Sequence, residues 1–299
     1  MRQGAILILS AALCLAALSP PARAAPIRIT DDLGHAVTLD KPASRVVPLY
    51  GAFAEMLYAI GAGSQVFART QADRFPPAIL DLPSVGTHMR PNVEMILGLK
   101  PDLVLQSGGR NEESADLERL HSSGIQVAVF APRTFEEIFS TMERMGILTG
   151  REEEARSAVG GLRERLGAVR KRLGDGVKPL RVFFEVRADP LSAAGRGSIV
   201  QEVLTAAGTE NVLKNPKAIV RYGFENLLLD DPDVYIVQRG PMNRNPEEPA
   251  KRTHYNQLRA VSSGRVIFVD EFIYSRPGPR SVDAVEELAS KLYPEKSQR

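Results

Sequence analysis

The chain has no tryptophan, four histidines and a single cysteine, Cys14, which falls within its first two dozen residues. With no second cysteine, no disulfide can close within the chain. Once the leading segment is removed, no thiolate is left to hold a metal or attack a substrate. His35, His88, His121 and His254 are scattered with no paired spacing, which disfavours direct capture of a bare metal ion. There is no Gly-x-Ser-x-Gly elbow and no His-Glu-x-x-His zinc motif. Gly195-Arg-Gly-Ser198 resembles a phosphate loop but lacks its Lys-Ser/Thr ending. The sequence therefore offers no catalytic residue, no metal ligand and no intrinsic cofactor. Beyond the leading segment no stretch is long and apolar enough to cross a membrane.

That leading segment reads as a signal peptide, residues 1–24. Arg2 supplies a positive start, Ala5 to Leu18 are apolar-biased, and Pro20-Pro21 break the run. Ala22-Arg23-Ala24 fits the small-x-small cleavage pattern, so cleavage after Ala24 and a periplasmic location are expected. Leu13 precedes Cys14 where a lipoprotein signal wants a small residue, which argues against lipid attachment. Removing residues 1–24 takes away two arginines and no acid, leaving 36 basic against 36 acidic residues. A nucleic-acid binder needs a positive surplus, and none is present. Residues 25–299 are enough for one large or two ordinary domains relying on core burial.

What is present is a repeat. Glu94-Met-Ile-Leu-Gly-Leu-Lys-Pro101-Asp102-Leu-Val-Leu returns 131 residues later as Glu225-Asn-Leu-Leu-Leu-Asp-Asp-Pro232-Asp233-Val-Tyr-Ile. Each copy puts a glutamate at the start of a short apolar helix, then a Pro-Asp that ends it, then an apolar strand. Around these copies, strand-like and helix-like runs alternate, which predicts an α/β fold with mainly parallel sheets. In the first half the strands are expected at 46–49, 65–70, 102–106 and 126–130, and the helices at 52–60, 92–99, 112–122 and 135–148. Thr134 and Glu137 make a capping box for the last of these. In the second half strands are expected at 181–186, 233–238 and 265–270, and helices at 198–207, 224–229 and 282–292. Between the halves, Ala155, Val159, Leu162, Leu166, Val169 and Leu173 form one stripe at helical spacing. The expected organisation is an N-terminal lobe at 25–150, a connecting helix at 151–174 and a C-terminal lobe at 175–299.

With Arg45-Val-Val-Pro-Leu, Val85-Gly-Thr-His-Met-Arg-Pro-Asn-Val-Glu94, Lys100-Pro-Asp-Leu-Val-Leu, Ala194-Gly-Arg-Gly-Ser198 and Arg276-Pro-Gly-Pro-Arg280, the pattern resembles a known family. It is similar to the helical-backbone periplasmic substrate-binding proteins of ABC importers for iron chelates, haem and cobalamin, over nearly all of residues 27–293. The resemblance implies two α/β lobes bridged by one long helix, a metal chelate held between them, and little hinge motion. It also implies that one exposed glutamate per lobe docks onto the ABC permease dimer, which works with its ATPase subunits. Glu94 and Glu225 occupy those positions. Taken singly, each would pass as a carboxylate favoured by a helix N-terminus. The protein is expected to act as a monomer.

Ligands of open parallel sheets sit beyond the carboxyl ends of strands. The residues following the expected strands, with the loop before Glu94, are therefore candidates for ligand contact: Tyr50, His88, Arg90 and Arg110 in the first half, and Arg187, Arg196, Tyr222, Arg239, Tyr274 and Arg276 in the second. Arginine binds carboxylates bidentately and stacks on aromatic faces, so this set suits an anionic ligand with planar groups. It favours a ferric siderophore or another anionic iron complex. Haem is a further candidate, with Tyr50, His88, Tyr222 or Tyr274 able to supply an axial ligand. A corrinoid such as cobalamin is the other alternative, against which stands the missing tryptophan that the family's cobalamin binders place in the cleft. From a different class, the competing reading is an exported two-domain α/β enzyme.

Overall fold

A computed structural model describes residues 25–108 and 115–294 of the chain. Arg110 and residues 1–24 lie outside the described residues.

The first lobe opens with an antiparallel hairpin, β1 (Ile27–Thr30) against β2 (Ala36–Leu39), that the sequence patterning did not predict. It continues through β3 (Val46–Pro48), α1 (Gly51–Ala59), a short hairpin of β4 (Gly86–Thr87) and β5 (Arg90–Pro91), and α2 (Val93–Leu99). It ends with β6 (Leu103–Ser107), α3 (Ala115–Ser122), β7 (Gln126–Phe130) and α4 (Phe135–Thr149). β3, β6 and β7 form a parallel sheet in that order. Val46, Val47, Leu103, Val104, Leu105 and Ala128 are fully or almost fully buried, the unbroken apolar run demanded of parallel strands covered on both faces. Residues 65–70, expected as a strand, touch β3 through one bridge, Val46 with Val66, and Phe67 N donates to the Val46 carbonyl at 3.0 Å. The chain then leaves the sheet for a tight turn at Thr70–Asp73. The expected box at the head of α4 is formed: Glu137 N donates to Thr134 Oγ1 and the Glu137 carboxylate accepts from Thr134 N.

α5 (Glu152–Leu173) follows as a single 22-residue helix. Five of the six stripe positions are buried, and Leu166 packs against the same core partly buried. Glu152, Glu153 and Glu154 fill its first turn and Arg170, Lys171 and Arg172 its last, both complementing the helix dipole. Gly146 on α4 permits the close approach of the two helices, because a Cβ there would overlap Ala155.

The second lobe comprises β8 (Leu180–Arg187), β9 (Ser192–Ala194), α6 (Ile199–Ala206), β10 (Thr209–Asn211), β11 (Ile219–Arg221), α7 (Phe224–Asp230) and β12 (Val234–Arg239). It closes with α8 (Arg259–Ser262), β13 (Val266–Asp270), α9 (Glu271–Tyr274) and α10 (Ser281–Leu292). β8, β12 and β13 run parallel, β10 pairs with β8, and β9 and β11 extend the sheet antiparallel. α2 and α7 end alike, on non-glycine residues in the left-handed region, Lys100 (φ 48°) and Asp231 (φ 36°), each immediately before a proline. A single apolar cluster runs through both lobes by way of α5. It includes Leu105 and Phe139 on one side, Val159 and Leu162 on the helix, and Val182, Ile236 and Leu288 on the other.

Candidate functional site

A cleft of about 570 Å³ opens between the lobes. Tyr50, Asp73, His88, Pro132 and Arg133 line it from the first lobe, and Lys217, Ile219, Met242, Glu271, Arg276 and Pro277 from the second. Tyr50 lies where the chain leaves β3 for α1. Its ring stands edge-on to Phe53 with centroids 5.5 Å apart and 6.0 Å from the His88 ring. Asp73 is locked by its turn: its Oδ2 accepts from Thr70 N at 2.8 Å, and its own N–H donates to the Thr70 carbonyl at 3.1 Å.

The segment Arg276–Arg280 crosses from the second lobe onto the first turn of α1. Arg276 stacks on Phe272, 4.2 Å from the ring centroid, and lies 5.8 Å from that of Tyr50. Its Nη1 reaches to 3.6 Å from Asp73 Oδ1. Four residues on, Arg280 grips the buried Glu55 carboxylate through Nε at 2.8 Å and Nη2 at 2.5 Å. Gly51 makes the crossing possible, since a Cβ there would overlap both Arg276 Nη1 and Asp73 Oδ1. Each charged end of this strap thus meets an acid of the opposite lobe.

The cleft perturbs its titratable groups. Burial pushes the Tyr50 hydroxyl up to about 12, with Arg276 opposing, so it stays a neutral phenol at working pH. Partial desolvation, then the charge of Arg276, hold the His88 imidazole below its ordinary range, Asp73 opposing, which favours the neutral ring. Glu271 is raised by burial, with the Met242 N–H (2.8 Å to its Oε2) and Arg276 opposing. Among the described residues no group of three or more His, Cys, Asp or Glu could hold a metal ion. A small set of polar groups set in apolar walls is the ordinary composition of a small-molecule site.

A family model described as periplasmic binding protein matches residues 46–272. The chain belongs to this family. It is 30% identical over 275 residues to an uncharacterized ABC transporter substrate-binding lipoprotein, YvrC, of Bacillus subtilis, covering 90% of this chain and 86% of that one. It is 26% identical over 252 residues to the vitamin B12-binding protein of Vibrio cholerae, covering 84% and 90%. The solved structure of an ABC-type Fe3+-hydroxamate transport system from Saccharomonospora viridis superimposes with a TM-score of 0.72 at 25% identity, covering 90% and 99%. This periplasmic binding protein is accordingly a substrate-binding transport protein, which works with an ABC permease and its ATPase and carries a small-molecule ligand. Its relatives are transport proteins, not enzymes.

Of the ten residues expected at the ligand, the binding protein brings Tyr50, His88 and Arg276 into the cleft. Arg110 lies outside the described residues. The other six are not among the residues that line the cleft. Tyr274 is fully buried against Phe184, because the Asp270 carboxylate caps α9 by accepting from Phe272 N at 2.7 Å and so turns the expected loop into helix. The Tyr222 hydroxyl donates to Asp230 Oδ2 at 2.5 Å, and its ring packs on Phe183. Arg239 lies over the Phe268 ring, 3.8 Å from the centroid. Arg196 is exposed beside Glu210 and Lys214, Arg187 is half-buried at the end of β8, and Arg90 is exposed on β5. The arginine cluster that favoured a strongly anionic cargo is therefore dispersed. The cleft also holds Asp73, Glu271, Arg133 and Lys217, which sequence reasoning missed. Asp73 lies three residues beyond the expected 65–70 strand, within reach of the strand-end rule. Glu271 follows the expected 265–270 strand directly, so the same rule points to it as well.

Glu94 and Glu225 are both exposed, each in the first turn of its short helix. Glu94 shares its charge with Arg119 on α3, also exposed.

Proposed function

We propose that this chain is an exported periplasmic receptor that captures a corrinoid of the cobalamin class between its lobes and hands it to an ABC permease. The observation that carries the choice of cargo is charge pairing in the cleft. Asp73 faces Arg276, Glu271 is pushed toward its neutral form, and the walls between them are apolar. Arg133 and Lys217 also line the cleft but are exposed, so its buried, charge-paired part suits a bulky ligand of near-zero net charge with neutral polar groups at its edge. Likeness to the vitamin B12-binding protein of Vibrio cholerae supports the same cargo. Tyr50, Ile219, Met242, Pro132 and Pro277 offer flat or broad apolar contact where tryptophan is missing. In this reading residues 1–24 direct export, 25–150 and 175–299 are the lobes, and Glu94 and Glu225 dock on the permease. An anionic iron chelate is the second reading, favoured by Arg133 and Lys217 among the lining residues.

The test is binding of cyanocobalamin, haemin and a ferric hydroxamate to the purified protein, followed by thermal shift and calorimetry. Ligand that binds the folded state raises the melting temperature by mass action. Stabilisation by cyanocobalamin alone supports the corrinoid. Stabilisation by the ferric hydroxamate alone replaces it with the iron chelate.

A further inference from the structure

The Asp73 side chain is an anomaly of burial. It is 1% exposed, its Oδ2 is satisfied within the turn, and its Oδ1 has no hydrogen-bond partner among the described residues. Leaving a buried acceptor unmatched costs free energy that a ligand can recover. Among the described residues the only counter-charge against Oδ1 is Arg276 Nη1 at 3.6 Å, well beyond the 2.7–2.9 Å of a charge-assisted hydrogen bond. Both groups border the cleft, one from each lobe. Neither can easily close the gap. Asp73 is tied into its turn, and the Arg276 guanidinium is held over Phe272, while its backbone carbonyl accepts from Ser281 Oγ at 2.9 Å.

We propose that Asp73 and Arg276 form a recognition pair for a primary carboxamide of the cargo. An amide carries a donor and an acceptor on one carbon. Its N–H donates to Asp73 Oδ1, which so gains its missing partner, while its carbonyl accepts from the Arg276 guanidinium. A carboxylate in the same place meets the Asp73 charge, and an ammonium meets Arg276. The pair thus rejects either ion and selects the neutral group. Because the partners belong to different lobes, the amide also bridges the cleft. This inference rests on the corrinoid reading above, since corrinoids carry primary carboxamides around the ring edge.

The experiment measures dissociation constants for cyanocobalamin and for its isomeric monocarboxylic acids, in each of which one amide is hydrolysed. Wild type is expected to bind at least one isomer tenfold or more weakly than the parent. Asp73→Asn, which keeps the acceptor for Thr70 N, removes the repelling charge and leaves Arg276 free. It is expected to abolish or reverse the discrimination against that same isomer. Arg276→Gln is expected to weaken the parent about tenfold without rescuing the acid, and it decides the matter if Asp73→Asn does not fold. Wild-type preferences retained in Asp73→Asn, or unchanged affinities in Arg276→Gln, overturn the pair while leaving the corrinoid reading intact. A wild-type protein that binds no corrinoid overturns both.

Discussion

Asp102 and Asp233 hold equivalent posts in the two lobes. Each carboxylate accepts the backbone N–H of an arginine at the start of a parallel strand, Arg45 just before β3 at 2.9 Å and Arg181, the second residue of β8, at 2.8 Å. Each aspartate's own N–H donates back to that same arginine's carbonyl, at 3.0 and 2.8 Å. The arginine side chains also follow suit, Arg45 donating to the Leu99 carbonyl and Arg181 to that of Asp231. The repeat is thus a matched hydrogen-bond arrangement, and it places Glu94 and Glu225 in matching first turns.

Two separated charges fix orientation as well as attraction. Replacing both Glu94 and Glu225 by alanine is expected to abolish uptake in cells while cargo affinity stays within about twofold, since neither residue borders the cleft. Uptake assays beside calorimetry check this, and normal uptake by the double variant would remove the docking role.

The Glu55–Arg280 pair is a joint between lobes, with side chains 4% and 18% exposed. Removing one member strands the other in a poorly solvated place. Glu55→Ala is expected to cost about 3 kcal/mol, read by chemical denaturation. Glu55→Leu with Arg280→Met should cost less than either single change, because no charge is then left unpaired.

Sequence reasoning reached the parallel strands, the capping box at Thr134 and the stripe on α5, because each depends on local spacing. It reached the cleft only in part. The strand-end rule says which loops border a site but not which way their side chains turn. Tyr274 was lost to a one-turn helix created by the Asp270 cap, and Arg239 to the Phe268 ring. Asp73 and Glu271 needed only the same rule applied to residues 65–70 and 265–270. The Arg276–Asp73 and Arg280–Glu55 contacts join residues more than 200 positions apart, beyond any periodic signal.

Gly51 tests the strap without touching its charges. In Gly51→Ala the new methyl group displaces the far ends of two side chains, not backbone, and alanine adds up to about 1 kcal/mol of helix propensity. The melting temperature should nonetheless fall, because buried Asp73 is tied into its turn, and cargo affinity should fall about tenfold as Asp73 and Arg276 are pushed from their places. Unchanged affinity, measured by equilibrium dialysis, would show that their placement does not matter.

Glu271 gives a pH signature. Its pKa is raised on folding, chiefly by burial, so the stability it confers is present in acid and is lost as pH rises through the folded value. Glu271→Gln keeps an acceptor for Met242 N but does not titrate. Its melting temperature relative to wild type should therefore climb as pH rises above the ordinary carboxylate range. A constant difference over that rise would contradict the shift.

The apolar cluster that threads α5 ties the two halves into one cooperative unit. Cutting the chain on either side of that helix would lay bare a greasy wall on each fragment, so neither half should be soluble by itself. The whole should melt in one step. Prising the halves apart to free a bound cargo would mean straining a common interior, which puts the work of release on the importer and its ATPase.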